Sequence, residues 1–340
     1  MNVPRRHLPR VLISPERVVR RVVGLRPFRP SGFRVEAESL GDSLLVHNYG
    51  HGGSGVMLSW GTSSLAVDRI VESGRRGPVA VIGCGAVGLA TARLLQARGF
   101  EVTIHARALP PETTSNVAGA LWYPHLFVEE ARRTAAFDAQ FETAARFSHR
   151  YFHGLIGDDY GVCLREQFFL SRAPVQDSWD IVLLRDLFPE ARPLQPGEHP
   201  FGVPHVVSDR VMFIDPAVYL EALVRDFRLA GGRVHIRSFA SPADLAALPE
   251  RLVVNCTGLG ARDLFGDREM IPVKGQLTVL QQQPEIDYSW ITEEDLYMFP
   301  RRDGILLGGT HEFGIENLEP NRAAERHVLE GHQAVADAME

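Results

Sequence analysis

Gly83, Gly85 and Gly88 stand in G-x-G-x-x-G spacing directly after the apolar, β-branched run VAVIG at 79–83. Such a run reads as a strand buried on both faces. Residues 89–98 then place apolar side chains at helical intervals up to Gly99, a C-cap signal. Glycines in that setting serve distinct ends. Gly83 permits the tight turn, Gly85 lets backbone approach a pyrophosphate, and Gly88 lets the helix pack on the strand. The helix N-terminus, spanning Ala86 and Val87, adds unpaired N–H groups and a positive partial charge. This is the chemistry of a dinucleotide site. The motif alone leaves the dinucleotide open. At the end of the next strand, 101–106 (EVTIHA), the acidic residue that holds an adenosine ribose is missing, and His105, Ala106, Arg107 and Ala108 stand there. An arginine at that place can accommodate the 2′-phosphate of NADP.

A second candidate is the run HNYGHGGSG at 47–55. His47 and His51 are spaced i, i+4, which invites a metal pair. The glycine-rich, non-helical setting and the lack of a third ligand nearby argue against one. Gly52, Gly53 and Gly55 lack side chains and so let backbone come close to whatever they face.

The elements around these residues can be read in outline. Strand, glycine turn, helix and strand make one βαβ unit, which builds a parallel sheet with a right-handed crossover. Residues 136–156 read as a helix with Phe137, Phe141, Phe147 and Tyr151 on one face. A second helix is expected to start at Asp215 with Pro216 in its first turn and to run to Gly231. Segments 233–239 and 251–256 read as strands, and 271–280 and 305–310 as strands of a second, antiparallel layer. Arg34 and Val35 are expected to end a strand, and 57–71 to form a helix opened by glycines. Residues 72–78 (ESGRRGP) have linker composition, and no internal repeat is present.

The bulk properties bound the rest. The 340 residues suit about two domains. An apolar fraction of 45%, a mean hydropathy of -0.08 and a net charge of -6 describe an ordinary globular chain. They argue against nucleic acid or an acidic membrane as partner. Arg5, Arg6, Arg10, Arg17, Arg20 and Arg21 read as a solvated basic face. Lys274 is the single lysine. Cys84, Cys163 and Cys256 lack metal-ligand spacing and read as reduced thiols. No apolar run approaches the ~18 residues of a membrane span. The basic start is interrupted by Pro9 and Arg10 before any apolar stretch, and VADAME at the C-terminus matches no address signal. A cytoplasmic location is expected.

Four further segments carry a resemblance. They are TTSNVAGALWYP at 113–124, RLVVNCTG at 251–258, LRPFRP at 25–30 and the HNYGHGGSG run. Together with the glycine turn, the chain resembles the D-amino-acid oxidase family of flavoproteins over residues 19–329. HNYGHGG is long and unusual; the glycine turn is weakly specific by itself. In that family LRPFRP and HNYGHGG lie near the C-terminus, whereas here they precede the glycine turn. The resemblance therefore implies a circular permutation. The family's own ends would be joined through 72–78, and a connection between the helix near 327–336 and the strand before Arg26 would be open. Seven residues span at most about 25 Å at ~3.5 Å each. Residues near 340 should then lie close to the segment before Arg20.

The resemblance implies an α/β fold. Its Rossmann-type FAD-binding domain would have a parallel sheet (31–150 and 205–265). A substrate-binding domain with a largely antiparallel sheet would comprise 1–30, 151–204 and 266–340. It implies non-covalent FAD held at the pyrophosphate by Gly83, Gly85, Ala86, Val87 and Gly88, with Ala106 and Arg107 at the adenosine end. Thr114, Ser115, Gly119, Ala120 and Leu121 match positions around the phosphates and isoalloxazine. Val234, Cys256, Thr257 and Gly258 match adenosine-side and pyrophosphate contacts. The run Gly52, Gly53, Ser54, Gly55, continuing into Val56 and Met57, would pass under the flavin. There a helix N-terminus would favour the negative charge of reduced flavin.

Arg26 matches the family's carboxylate-binding arginine, whose fork can hold both oxygens. Tyr297, in YMFP, matches the tyrosine that donates to the same carboxylate, and the Gly53 carbonyl would accept from the substrate amine. Tyr123, His125, Ile291, Phe299 and Ser54 stand where the side-chain pocket is expected. They suggest an apolar or aromatic side chain, with no second arginine for an acidic one. The segment between Ile291 and Tyr297 is shorter than the animal enzymes' lid loop and lacks its tyrosine. The implied reaction is oxidation of a neutral D-amino acid to 2-oxo acid, ammonia and hydrogen peroxide, with molecular oxygen as acceptor. Alternatives are a glycine or secondary-amine oxidase of the same fold, an NADP-dependent dehydrogenase using Arg107, and a non-catalytic flavin binder. No metal is implied, and association into a homodimer is left open.

Overall fold

The computed structural model describes residues 7–339. Arg5 and Arg6 of the basic cluster lie outside the described residues. Among the described residues the strands form a six-stranded and a nine-stranded sheet, and the chain divides into two compact units. The larger comprises Arg26–Val162 and Pro216–Val273, and the smaller comprises the chain through Leu25, Cys163–Asp215 and the chain from Lys274 on. Relative to the expected division, 26–30, 151–162 and 266–273 group with the larger unit, and 205–215 with the smaller.

The six-stranded sheet of the larger unit has Val79–Ile82 near its centre, between Leu252–Asn255 and Val102–Ala106, all parallel. Ser43–Tyr49 adds a fourth parallel strand beside Leu252–Asn255, and Arg233–Ile236 a fifth beside Val102–Ala106. Every residue of Val79–Ile82 and Leu252–Asn255 is buried, which is why the first reads as an unbroken apolar run and the second as one up to Asn255. The chain leaves the first of these strands on one side through the helix Ala86–Ala97 and meets Leu252–Asn255 on the other. That arrangement is a switch point, where open α/β sheets bind ligands beyond the strand C-termini.

Arg34 and Val35 begin a strand rather than end one. Arg34–Leu40 pairs antiparallel with Ser43–Tyr49 across Gly41 and Asp42, with Gly41 at φ 58°. A two-residue G-D turn between alternating segments is the hairpin signal that identifies this element. The glycine-opened helix starts at Ser59, later than expected, because residues 51–54 and 56–59 close i to i−3 hydrogen bonds before regular α-helix begins. The strands expected to reach 239 and 310 stop at Ile236 and Gly308. Thr134 caps the helix Ala135–His153 by accepting from the Phe137 N–H at 3.1 Å.

In the smaller unit, Gly304–Gly308 lies between Ile271–Leu280 and Tyr297–Arg301, all antiparallel. Tyr288–Thr292 follows, antiparallel to Tyr297–Arg301 and parallel to Val162–Ser171. The strand His205–Ile214 comes next. The sheet's two faces differ. One carries Phe168, Leu170, Tyr288, Trp290, Met298 and Leu307 into a core with Val328 and Leu329 of the helix Arg322–Asp337. Leu8, Val11, Ile13 and Met339 belong to the same core, Arg10 donates to the Met339 carbonyl, and the Tyr288 hydroxyl donates to the Pro9 carbonyl at 2.6 Å. The segment before Arg20 and the end of the last helix therefore pack together. Lys274 is buried, donating to Asn317 Oδ1 at 2.8 Å and to the Glu319 carbonyl at 2.6 Å.

Candidate active site

In the larger unit the glycine turn is a backbone device. Gly83 sits at φ 115°, and a Cβ there would lie 2.4 Å from the Cys256 carbonyl oxygen. A Cβ on Gly88 would lie 2.1 Å from the Gly83 carbonyl oxygen. Both are contacts with backbone, which cannot move aside, so the strand, the turn and the helix close on one another only with glycine. Gly85 is different: a Cβ there would meet only the Ser115 hydroxyl, at 2.9 Å. Gly85 is the N-cap of the helix Ala86–Ala97, whose first N–H, that of Ala86, donates to Ser115 Oγ at 3.0 Å. The Val87 carbonyl accepts from Ser63 Oγ at 3.1 Å and Thr91 Oγ1 at 2.8 Å, and Asn48 donates to both hydroxyls at 3.3 Å. These neutral bonds fix the phosphate-side helix to its neighbours without introducing a buried charge.

Asn255 of the NCTG segment joins two motifs. Its amide nitrogen donates to His47 Nδ1 at 3.0 Å, while its oxygen accepts from the Thr257 N–H at 3.1 Å and hydroxyl at 2.7 Å. His47 is held below its ordinary pKa mainly by burial, with Glu38 3.2 Å from Nε2 but outside hydrogen-bond geometry. His51 points elsewhere. Its Nε2 lies 2.9 Å from Thr62 Oγ1, and since that hydroxyl donates to the Leu58 carbonyl, Nε2 carries the proton. Burial pushes His51 down to about 3, so it is neutral. The two histidines thus serve different partners as neutral hydrogen-bonding groups.

The other end of this unit gathers Arg26, the glycine run and the 120–126 loop. Phe28, at the end of Arg26's strand, forms an antiparallel bridge with His51. The Gly53 N–H donates to the Leu126 carbonyl at 2.9 Å. Ser54 Oγ both donates to the His125 carbonyl at 3.0 Å and accepts from the His125 N–H at 2.9 Å. A Cβ on Gly52 would lie 1.9 Å from the Leu126 carbonyl oxygen, so the close approach expected of this run is made to the protein's own loop. That loop is bounded by two non-glycine residues at positive φ, Ala120 at 58° and Leu126 at 46°. Each costs on the order of 1 kcal/mol and persists because its surroundings dictate it. Loss of water around the imidazole, reinforced by the Arg26 charge, pushes His125 down to about 4.

The remaining expected residues are placed as follows. Thr114 and Ser115 open the 3₁₀ turn Thr114–Val117, followed by Gly119 and Leu121, while Tyr123 donates its N–H to the Leu121 carbonyl at 2.9 Å. Gly258 has φ 57° and lies against Pro27, beside Arg26. Val56 and Met57 are buried. Ala106 ends its strand buried, Arg107 is exposed, and Val234 pairs opposite Ile104 on the neighbouring strand.

Ile291, Tyr297 and Phe299 belong to the smaller unit. Ile291 is the register partner of both Tyr297 and Phe169, so these share one face, opposite the buried core. Tyr297 stacks on Phe299 with ring centroids 5.0 Å apart, and Phe299 meets Phe213 edge-on at 5.5 Å. Tyr297 lies across Gly308: a Cβ there would be 2.0 Å from its ring. The helix beneath secures that glycine. Trp290 Nε1 donates to His332 Nδ1 at 3.1 Å, which leaves Nε2 to donate to the Gly308 carbonyl at 3.0 Å. Burial holds His332 at about 4. Sequence reading missed Phe213, Gly308 and His332. Only the glycine pair in LGGT hinted at the close approach.

A family model described as FAD dependent oxidoreductase, the DAO family, matches residues 78–338. D-amino-acid oxidase of Rubrobacter xylanophilus is 33% identical over 256 residues, 73% of this chain and 74% of the relative. That of Dictyostelium discoideum is 31% identical over 257 residues, 73% and 70% of the two chains. Glycine oxidase from Geobacillus kaustophilus superposes with a TM-score of 0.58 at 16% identity, over 78% of this chain and 80% of that one, and so shares the fold. The chain belongs to the DAO family of FAD-dependent oxidoreductases. Its cofactor is FAD, which settles the choice that Arg107 left open in favour of the flavin. The cradle fits that group: Gly85 caps the helix Ala86–Ala97 without a side chain, and the one neighbour its missing Cβ would strike is the Ser115 hydroxyl, at 2.9 Å. No helix among the described residues is long and apolar enough to cross a membrane.

Proposed function

We propose that this protein oxidises D-amino acids, giving 2-oxo acid, ammonia and hydrogen peroxide with molecular oxygen as acceptor. Bound flavin supplies the acceptor for hydride from the substrate α-carbon. The chain's own residues bind and orient. Arg26 holds the substrate carboxylate through its two-pronged guanidinium, and the Gly53 carbonyl accepts from the amine. The observation that carries the reading is the corner where Arg26's strand, the glycine run and the His125 loop are sutured by backbone bonds. With His125 held at about 4, the imidazole is uncharged at neutral pH and does not compete with Arg26 for an anion. No side-chain base is required if the amine arrives neutral, so catalysis is positioning and electrostatics.

The restriction to neutral side chains rests on the want of a second arginine near Phe299. Arg165, on the strand Val162–Ser171, has its guanidinium carbon 5.4 Å from the Phe213 ring centroid on that sheet face. A peroxide-release screen of purified yellow protein against paired D- and L-amino acids, glycine and sarcosine tests the main reading. Arg26→Ala should raise KM by about 100-fold or more with flavin retained. Preference for L-enantiomers or for glycine, or an unchanged KM in that variant, defeats it.

The same reading covers the order of the chain: residues 78–338 would be the family's usual sequence and the preceding segment its displaced C-terminal part. Support comes from the joint core of Leu8, Val11 and Ile13 with Leu329 and Met339. A rearranged chain starting at Val79, with the segment beginning at His7 attached through a short linker after Met339, should fold and bind FAD. Failure to bind FAD by a soluble rearranged chain counts against it.

A further inference from the structure

Arg165 lies outside every motif of the sequence, on the strand Val162–Ser171. Counting back in twos from Phe169, the partner of Ile291, places it on the face of Ile291, Tyr297 and Phe299. Contacts agree: its guanidinium carbon is 5.4 Å from the centroid of Phe213, which meets Phe299 at 5.5 Å. Tyr297, Phe299, Phe213 and Arg165 thus form a string running from the expected carboxylate-donor to a cation. Neighbouring Glu166 points to the other face, where it accepts from Ser208 Oγ at 3.0 Å.

Arg165 Nε is buried without a hydrogen-bond partner, and among the described residues no carboxylate forms an ion pair with Arg165. Phe213 offers the guanidinium a ring face, a weak partner for a full charge that has lost part of its water. Arg165 is half-buried, and a carboxylate matches its planar fork in two hydrogen bonds. We propose that Arg165 binds a carboxylate at the end of the substrate's side chain. The substrate class is then D-amino acids with a short apolar stem and an acidic tip, of which D-glutamate is the type. The aromatic residues accommodate the stem and Arg165 reads the tip. This deepens the D-amino-acid reading and rests on it.

The test compares D-glutamate with D-glutamine, alike in size but differing in charge, on the FAD-loaded protein. The kcat/KM ratio should favour D-glutamate in the native chain and fall about 30-fold in Arg165→Met, mainly through KM. Arg165→Lys, which keeps the charge but not the fork, should lose less. A measurement on the native protein guards against a variant that does not fold: glutarate should inhibit at least about tenfold more tightly than butyrate. A native preference for D-glutamine, a ratio unmoved by Arg165→Met, or equal inhibition by the two acids overturns the proposal. If neutral D-amino acids are oxidised while these outcomes hold, only the role of Arg165 falls. If no D-amino acid reduces the flavin, the main reading falls with it.

Discussion

The glycine cradle of the larger unit and the aromatic sheet face of the smaller one are built on opposite principles. The cradle is backbone: Gly83 and Gly88 are held by carbonyl oxygens from their own turn and from Cys256, and a helix N-terminus completes it. The sheet face is side chains: Tyr297, Phe299, Phe213 and Arg165, from three strands widely separated along the chain. A cofactor common to a family can be held by groups every residue possesses, under a strict spacing rule. A substrate's side chain must be met by side chains, whose identity is free to vary.

The sharpest way to break this contrast is at the cradle. Gly88→Ala forces a Cβ to within 2.1 Å of backbone oxygen. It should cost about 3 kcal/mol of stability and leave a protein without flavin absorbance. Retained flavin would mean that the turn adapts more than its contacts allow.

Acid should weaken both units. His51, His125 and His332 have folded values depressed to about 3, about 4 and about 4. The unfolded chain binds protons on these rings first, below pH about 6.5, so the stability they secure is complete above that value. It is lost progressively as pH falls towards 4, on the order of 2 kcal/mol per histidine. Thermal unfolding followed from pH 7.5 to 4.5 checks the sign, and a Tm that rises on acidification contradicts it.

At the sheet face the expected effect is smaller and of another kind. Gly308→Ala displaces the Tyr297 ring, which lies within 2.0 Å of the added methyl. Activity, as kcat/KM, should fall about tenfold with FAD affinity unchanged. Loss of flavin in this variant would erase the division between the two regions. Smallest is Asn255→Ala, which frees Thr257 from its two hydrogen bonds and leaves His47 Nδ1 unpaired. FAD binding should weaken by about fivefold, measured by titration of the apoprotein, with substrate KM unaffected.

Reading from sequence succeeded where a rule links neighbours in the chain. The βαβ unit, its glycine turn and the helix Pro216–Leu229 follow from local periodicity and from residues with unusual backbone freedom. The hairpin around Gly41 obeys the same kind of rule and was legible, though its strand was taken from the wrong end. His47, in contrast, gives no local sign that its partner is Asn255, more than two hundred residues away.

By itself the sequence determined the glycine turn and the βαβ unit around it, because steric limits on φ and the 3.6- and 2-residue periods act within a few residues. Motif order gave the expectation that the segment before Arg20 lies near the end of the last helix, and Leu8, Val11 and Ile13 share a core with Leu329 and Met339. Only the tertiary structure decided which side chains share a face. Register between strands brings Arg165 to Phe213 and Phe299, and a shift of one residue would have sent it into the opposite core. Charge neutralisation and packing are properties of such meetings in space, and no spacing along the chain encodes them.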